Sequence, residues 1–257
     1  MRNPTNLFKA ALRKGGHQLG IWNTIGGNTV PDLLGGAGFD WVLVDCEHSP
    51  VETVEVLPAL QAIAANPGVS AIVRPAANDA TLFKRILDMG AQTLLVPYVQ
   101  TAEEAAEAVS YMRYGPHGVR GMAGMTRATR YGQVENYYTE ADKELCLVVQ
   151  VETVLGLENL EAIAQTDGVD AVFIGPSDLS ASMGLPGQTG HPDVVAAIHD
   201  AIDRLKAIGV PVGLMALDVT EARNFISRGV DFTAVGVDLV LLADAVAKLR
   251  LAFDEAP

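Results

Sequence analysis

Eight short apolar runs recur along the chain, and stretches of helical periodicity separate most of them. The runs are Leu19–Asn23, Trp41–Asp45, Ala71–Pro75, Thr93–Val99, Leu145–Glu152, Ala171–Pro176, Val212–Ala216 and Phe232–Val237. Most are nearly continuous in apolar residues, as expected of parallel strands covered on both faces. Helical patterns occupy Asn3–Lys14, Asp79–Met89, Ala102–Met112, Gly156–Gln165, Pro192–Ala207, Val219–Arg228 and Leu239–Phe253. Thr101 followed by Glu104 has the spacing of a capping box. A glycine precedes several strands, in Gly38-Phe39-Asp40, Gly168-Val169-Asp170, Gly209-Val210-Pro211 and Gly229-Val230-Asp231. It supplies the left-handed residue that ends a helix before the chain turns into the sheet. Eight such units without an intervening linker predict a closed (β/α)₈ TIM barrel forming a single domain over 1–257. A doubly wound open sheet is the alternative. No G-x-G-x-x-G follows any strand, so it lacks the nucleotide loop such a sheet would be expected to carry.

In a barrel, groups that do chemistry sit where strands end and loops begin. The stretch from Leu145 to Ser180 reads as a βαβ unit whose two strands close on Glu152 and Asp178. If adjacent, parallel strands lie roughly 4.8 Å apart and deliver both carboxylates at one end. Two hard oxygen ligands side by side suit a divalent cation such as Mg²⁺ or Mn²⁺. The competing reading makes Glu152 a helix cap and Asp178 a turn residue. Other strand ends offer Trp22-Asn23-Thr24, Asp45-Cys46-Glu47-His48, Arg74-Pro75, Gln150, and Gly175-Pro176-Ser177. Asp45 and Glu47 read equally well as caps, Arg74 as a structural partner of an acid, and His48 as a surface residue. Cys46 fits a small buried hydrophobe better than a nucleophile. His17, His191 and His199 fall at structural or surface positions. The Gly-rich run Arg113–Arg130 reads as an active-site lid or a subunit contact.

What is missing narrows the chemistry. No lysine lies at a strand end, which leaves a Schiff base without a candidate, and there is no G-x-S-x-G elbow. The formal net charge of −13 argues against nucleic-acid or anionic-membrane partners. No apolar run is long enough to span a bilayer. Two cysteines at strand-like positions are expected to stay reduced, so the protein is placed in the cytoplasm. What remains is a metal acting as a Lewis acid, an arginine balancing developing negative charge, and a histidine or metal-bound water moving a proton. That set suits enolisation of a 2-oxo acid.

The segments DCEHSP, IVRP, LDMGAQTLLVP, RYGPHGVRG, VQVET and VFIGPSDLSASMG, in this order, closely resemble the HpcH/HpaI aldolases, within them the 4-hydroxy-2-oxoheptanedioate (class II pyruvate) aldolases. The similarity runs from Leu19 to Leu242. It implies a divalent metal (Mg²⁺, Mn²⁺ or Co²⁺) and reversible cleavage of 4-hydroxy-2-oxo acids to pyruvate and an aldehyde. By matching position, Glu152 and Asp178 would be metal ligands, His48 the proton-transferring histidine and Arg74 the residue that stabilises the transition state. Asp88 matches an acid supporting that histidine. Gln150 and Ser177 match pyruvate-contacting positions, with Trp22, Gly175 and Asp178 completing the substrate site. The resemblance also implies a homo-oligomer, a hexamer built as a trimer of dimers, in which Leu239–Phe253 exchanges between subunits. Cys46, Ser49 and Gly115 depart from the common pattern, which bears on acceptor preference. Two other readings are an acyl-CoA lyase of the malyl-CoA or citrate lyase type, which would need a basic groove for the CoA phosphates, and a barrel that binds small molecules without catalysis.

Overall fold

The structure, a computed structural model, describes residues 1–253; 254–257, the end of the expected domain, lie outside the described residues. The alternation folds into a closed barrel of eight parallel strands in sequence order, with the last pairing back onto the first. The first half runs α1 (Leu7–Lys14), β1 (Gln18–Asn23), α2 (Thr29–Gly35), β2 (Trp41–Asp45), α3 (Val56–Ile63), β3 (Ser70–Arg74), α4 (Ala80–Asp88), β4 (Thr93–Val96) and α5 (Ala102–Met112). The second half runs α6 (Tyr137–Glu144), β5 (Cys146–Val151), α7 (Val154–Glu158), α8 (Leu160–Ala164), β6 (Ala171–Ile174), α9 (Pro176–Ser182), α10 (Pro192–Ala207), β7 (Val212–Met215), α11 (Val219–Ser227), β8 (Phe232–Val237) and α12 (Asp238–Leu251).

The glycines that end helices do so as expected: Gly38, Gly168, Gly209 and Gly229 all have φ between 72° and 101°. Two other glycines serve packing. A Cβ on Gly20 would lie 2.0 Å from the Trp41 ring, and one on Gly213 would lie 2.2 Å from Phe232. Their absence lets those two rings fill the lower barrel. Phe8 of α1 then closes that end, edge-on to Trp41 at 6.2 Å and to Phe232 at 5.2 Å. Lys9 ties the plug down through an ion pair with Asp170 at 3.0 Å. One end of the barrel is therefore sealed, and chemistry has only the other end to use.

Several expectations need correction. The helix expected over Gly156–Gln165 is two shorter helices, α7 and α8, broken at Asn159, whose side chain donates to the Gln100 carbonyl at 2.9 Å. The strand expected to reach Val99 stops at Val96, because Tyr98 takes a left-handed conformation with φ 59°. The capping box at α5 is half formed. Thr101 Oγ1 accepts from the Glu104 N–H at 3.2 Å, but the Glu104 carboxylate reaches past it to the Gln100 N–H at 2.6 Å. Helices α2, α3, α6 and α9 carry too short or too polar a pattern to stand out in the sequence.

Arg113–Arg130 is no lid over this chain's own strand ends. It follows α5 and precedes α6 and β5, which places it at the face where strands begin. There the Ala128 N–H donates to the Asp88 carbonyl at 3.1 Å and Arg127 to the Met89 carbonyl at 2.8 Å. At the opposite face Asp238 closes the seam between β8 and β1. It accepts from Asn23 Nδ2 at 2.7 Å, from the Thr24 N–H at 2.9 Å and from the Ile25 N–H at 3.1 Å. Beyond Asp238, every residue of 239–253 is exposed, including Leu239, Leu241, Leu242, Val246, Leu249 and Leu251. No helix among the described residues is long and apolar enough to cross a membrane.

Candidate active site

Strand register assembles the site. Asp45 and Arg74 are direct partners in the β2–β3 ladder, so their side chains emerge at one level. Arg74 Nε and Nη2 donate to the two Asp45 carboxylate oxygens, each at 2.7 Å, in a bidentate pair. Arg74 Nη1 lies 2.9 Å from Glu47 Oε2, and the guanidinium carbon is 5.3 Å from the Trp22 ring centroid. Burial works against the Arg74 charge, but the Asp45 hydrogen bonds and the charges of Asp45, Glu47 and Glu152 outweigh it and raise the pKa. A guanidinium has five N–H groups, and two are committed to Asp45 by hydrogen bonds here, the contact with Glu47 being an ion pair. His48 stands at the edge of this cluster, largely exposed, with Nε2 3.7 Å from Glu47 Oε2. Asp45 also accepts from the Glu47 N–H at 3.0 Å, while Ser49 Oγ donates to the Asp45 carbonyl, so the β2 loop is held from both sides.

On the other side of the barrel, Val151 and Ile174 are register partners, which sets Glu152 beside Gly175. A Cβ on residue 175 would lie 2.5 Å from Glu152 Oε2, so this glycine makes room for the carboxylate. Glu152 is buried; its Oε1 accepts from the Tyr98 N–H at 2.8 Å and its Oε2 from Gln150 Nε2. Burial pushes its pKa up to about 7. The two hydrogen bonds oppose that shift, and the charges of Asp178 and Glu47 add to it. Glu47 is raised by burial too, against the pull of Arg74 and His48. Glu152 does not cap the next helix, because Thr153 does: its side chain accepts from the Gly156 N–H at 3.0 Å. Asp178 sits in the first turn of α9, and Pro176 opens that helix at its first position.

Asp178 thus sits close enough to raise the cost of ionising Glu152 and Glu47, and Glu47 adds to that of Glu152. Arg74, their one strong cationic neighbour, is already shared between Asp45 and Glu47. This electrostatic deficit fits a divalent cation held by Glu152 and Asp178. Among the described residues no group of three or more His, Cys, Asp and Glu could hold a metal alone. Two protein carboxylates with the remaining positions left to water and substrate is the habit of Mg²⁺-type sites.

Of the residues singled out in the sequence, Trp22, Arg74, His48, Gln150, Glu152, Gly175, Ser177 and Asp178 all lie at the strand ends of the open face. Asp88 does not. It ends α4, a nine-residue helix that runs from this face to the opposite one, about 13 Å along the helix axis. Its partner is Arg120 at 2.8 Å, whose guanidinium also lies 4.5 Å from the Tyr114 ring centroid. Within the chain it cannot support His48. Asp45 and Glu47 emerge as the acids that hold Arg74, and the Tyr98 N–H as a donor to Glu152. The i, i+2 spacing of Asp45 and Glu47, on a strand pairing in register with the one ending in Arg74, was the available signal. Cys46 is buried and its thiol is pushed up to about 12, first by burial and then by Asp45, so it is no nucleophile. The basic run offers no groove for CoA phosphates beside the site. Arg113 pairs with Asp167 at 3.1 Å and Arg120 with Asp88, both at the far face.

Comparison with known proteins shows the family. The family model described as HpcH/HpaI aldolase/citrate lyase matches residues 18–245. A pyruvate aldolase from Rhizobium etli is 55% identical over 253 residues, covering 98% of this chain and 99% of its own. A hydroxypyruvate/pyruvate aldolase from Sagittula stellata is 51% identical over 247 residues, covering 96% and 97%. A solved HpcH/HpaI aldolase/citrate lyase family protein from Burkholderia cenocepacia superposes with a TM-score of 0.93 at 37% identity, covering 98% of this chain and 100% of that one.

Proposed function

The chain belongs to the HpcH/HpaI aldolase/citrate lyase family, and from that membership we propose that it is a divalent-metal-dependent aldolase cleaving 4-hydroxy-2-oxo acids reversibly to pyruvate and an aldehyde. It is a carbon–carbon lyase, as its aldolase relatives are. The observation that carries the specific reading is the uncompensated pair of buried Glu152 and half-buried Asp178 facing the Arg74 cluster across the open end of the barrel.

In the cleavage direction the 4-hydroxyl loses its proton, the bond between carbons 3 and 4 breaks, and its electron pair stays on carbon 3. An aldehyde departs, and carbon 3 later takes a proton to become the pyruvate methyl group. A Mg²⁺, Mn²⁺ or Co²⁺ ion held by Glu152 and Asp178 supplies Lewis-acid polarisation of the 2-oxo acid. Gln150 and the Tyr98 N–H hold Glu152 in place for this. Arg74, fixed by Asp45 and paired with Glu47, keeps N–H groups free for an oxygen on which charge develops. Ser177 lies in the first turn of α9, where backbone N–H groups lack intrahelical partners and can take a carboxylate. Trp22 and Gly175 shape the floor. His48, beside Glu47 and open to solvent, moves the proton. Coupling pyruvate release from a 4-hydroxy-2-oxo acid to lactate dehydrogenase, with and without EDTA, tests this directly. Cleavage that needs added metal supports the reading, and cleavage unaffected by EDTA defeats it.

The enzyme works in the cytoplasm on small molecules, without nucleic-acid or membrane partners; two buried free cysteines support that compartment. It assembles as a homo-oligomer, a trimer of dimers, by exchanging α12. Support comes from the uninterrupted exposure of 239–253, since a helix exposing this many large apolar side chains needs burial somewhere. Leu242→Asp combined with Leu249→Asp is expected to lower the mass measured by light scattering to that of a monomer or dimer. An unchanged hexamer mass would remove the exchanged-helix arrangement.

A further inference from the structure

We propose that the protein carries a second binding site, for a small organic carboxylate, in the cavity between its N-terminal segment and the loop that holds Arg127 and Arg130. The cavity measures about 170 Å³ and lies beside the sealed end of the barrel, where β3, β4 and β5 begin. It shares no residue with the strand ends of the open face. Asn3, Thr5 and Asn6 form one wall, and the segment that carries them is tied down along its length. The Met1 ammonium lies 3.2 Å from Glu135 Oε1, Gln92 Nε2 donates to the Pro4 carbonyl at 2.6 Å, and the Asn6 N–H donates to Glu144 Oε2 at 2.7 Å. Leu60 and Ile63 of α3, Val69 before β3 and Leu145 before β5 supply an apolar lining.

The charged part of the lining is wholly cationic. Arg127 and Arg130 line the cavity, and no aspartate or glutamate does. Among the described residues neither arginine pairs with a carboxylate, unlike Arg74, Arg113, Arg120, Arg204 and Arg228. In a chain of formal net charge −13, two neighbouring guanidinium groups left without an acid mark a place for an anion from outside. Arg127 is held in position, since its Nη1 donates to the Met89 carbonyl at 2.8 Å and a Cβ on Gly90 would lie 2.9 Å from that nitrogen. Burial lowers its pKa and the Arg130 charge lowers it further, against Tyr131, so a bound carboxylate would relieve both costs. Arg130 and Tyr131 have φ of 50° and 56°, a left-handed conformation that such side chains rarely adopt. The loop imposes it: the Tyr131 N–H donates to the Thr126 carbonyl at 2.9 Å and the Gly132 N–H to Thr129 Oγ1 at 3.0 Å. Strain held this way collects at ligand clamps, and here it falls at the residue that brings the second charge. Guanidinium forks suit a carboxylate head, and the apolar lining suits a carbon chain. At roughly 30 Å³ per water molecule, the space limits that chain to a few carbons.

The test is a ligand-observed NMR titration of the full chain with butanoate, which has no 2-oxo group to chelate a metal at the open face. Saturable binding of butanoate is expected, with butan-1-ol not binding and inorganic phosphate binding more weakly. Arg127→Gln with Arg130→Gln should weaken butanoate by roughly 10- to 100-fold, the scale of lost hydrogen bonds to charged groups. Arg130→Gln alone, at an exposed position where folding is not at stake, should account for roughly tenfold of that. Ala64→Phe, at an exposed position of the lining, should block the cavity with both arginines in place. Glu152→Gln, altered only at the open face, should bind butanoate as the wild type does. No saturable binding to the wild type, or wild-type affinity in both Arg130→Gln and Ala64→Phe, would overturn the proposal. Loss of binding in Glu152→Gln would move the butanoate to the open face and overturn it equally. Phosphate binding more tightly than butanoate would overturn the ligand class. None of these outcomes depends on the aldolase reading.

Discussion

Arg74→Ala is expected to cost both stability and rate: about 3–5 kcal/mol of unfolding free energy and at least 100-fold in turnover. The stability loss follows from what stays behind. Asp45 is 1% exposed and directs both carboxylate oxygens at the guanidinium, so truncation leaves a buried carboxylate without its counter-ion. The rate loss follows from the N–H groups that remain after Asp45 is satisfied, since a fixed cation gives most where charge appears only in the transition state. Arg74→Lys separates the two effects. An ammonium keeps the charge, but it lacks the planar fork that meets both Asp45 oxygens and reaches Glu47 together. It should recover part of the stability and little of the rate. Urea unfolding and initial rates on the same preparations check both, and a Lys variant with wild-type turnover would show that the fork has no catalytic role.

Glu152→Gln is expected to abolish metal retention and reduce turnover to background, without destabilising the metal-free protein. Glutamine keeps the shape and can still accept the Tyr98 N–H, but it removes a charge that burial, Asp178 and Glu47 all oppose. The metal-free variant should therefore melt no lower than the metal-free wild type at pH 8. Metal content by mass spectrometry after gel filtration and melting temperature after EDTA treatment give independent readings. Asp178→Asn should lose metal in the same way. A Glu152→Gln protein that binds metal with wild-type affinity would end its assignment as a ligand.

Much of this site was legible in the sequence because strand ends are legible. Apolar runs closing on a polar residue mark the open face of a barrel, and Arg74, Gln150, Glu152, Ser177 and Asp178 all announce themselves that way. Asp88 could not be placed by such reasoning. Its distance from His48 comes from the direction in which α4 runs, and its pairing with Arg120 depends on a loop with no periodic signal. The same topology moved Arg113–Arg130 to the far face. Asp45 and Glu47 were visible but ambiguous, since a carboxylate after a strand caps a helix as readily as it holds an arginine. Only the register of β2 with β3 separates those roles. The short helices escaped for compositional reasons: α2 contains Pro31 and Gly35, α3 carries Pro58 in its first turn, and α6, with the sequence YYTEADKE, has too few apolar residues to show a face.

The most direct test of the central claim is hydrogen–deuterium exchange at the pyruvate methyl group in D₂O, followed by proton NMR without any aldehyde. Enzyme stripped with EDTA should leave the methyl signal intact. Resupply with Mg²⁺ or Mn²⁺ should restore its decay in the wild type and not in Glu152→Gln. Exchange that proceeds equally without metal, or fails with every metal supplied, would contradict metal-dependent enolisation of pyruvate at this site.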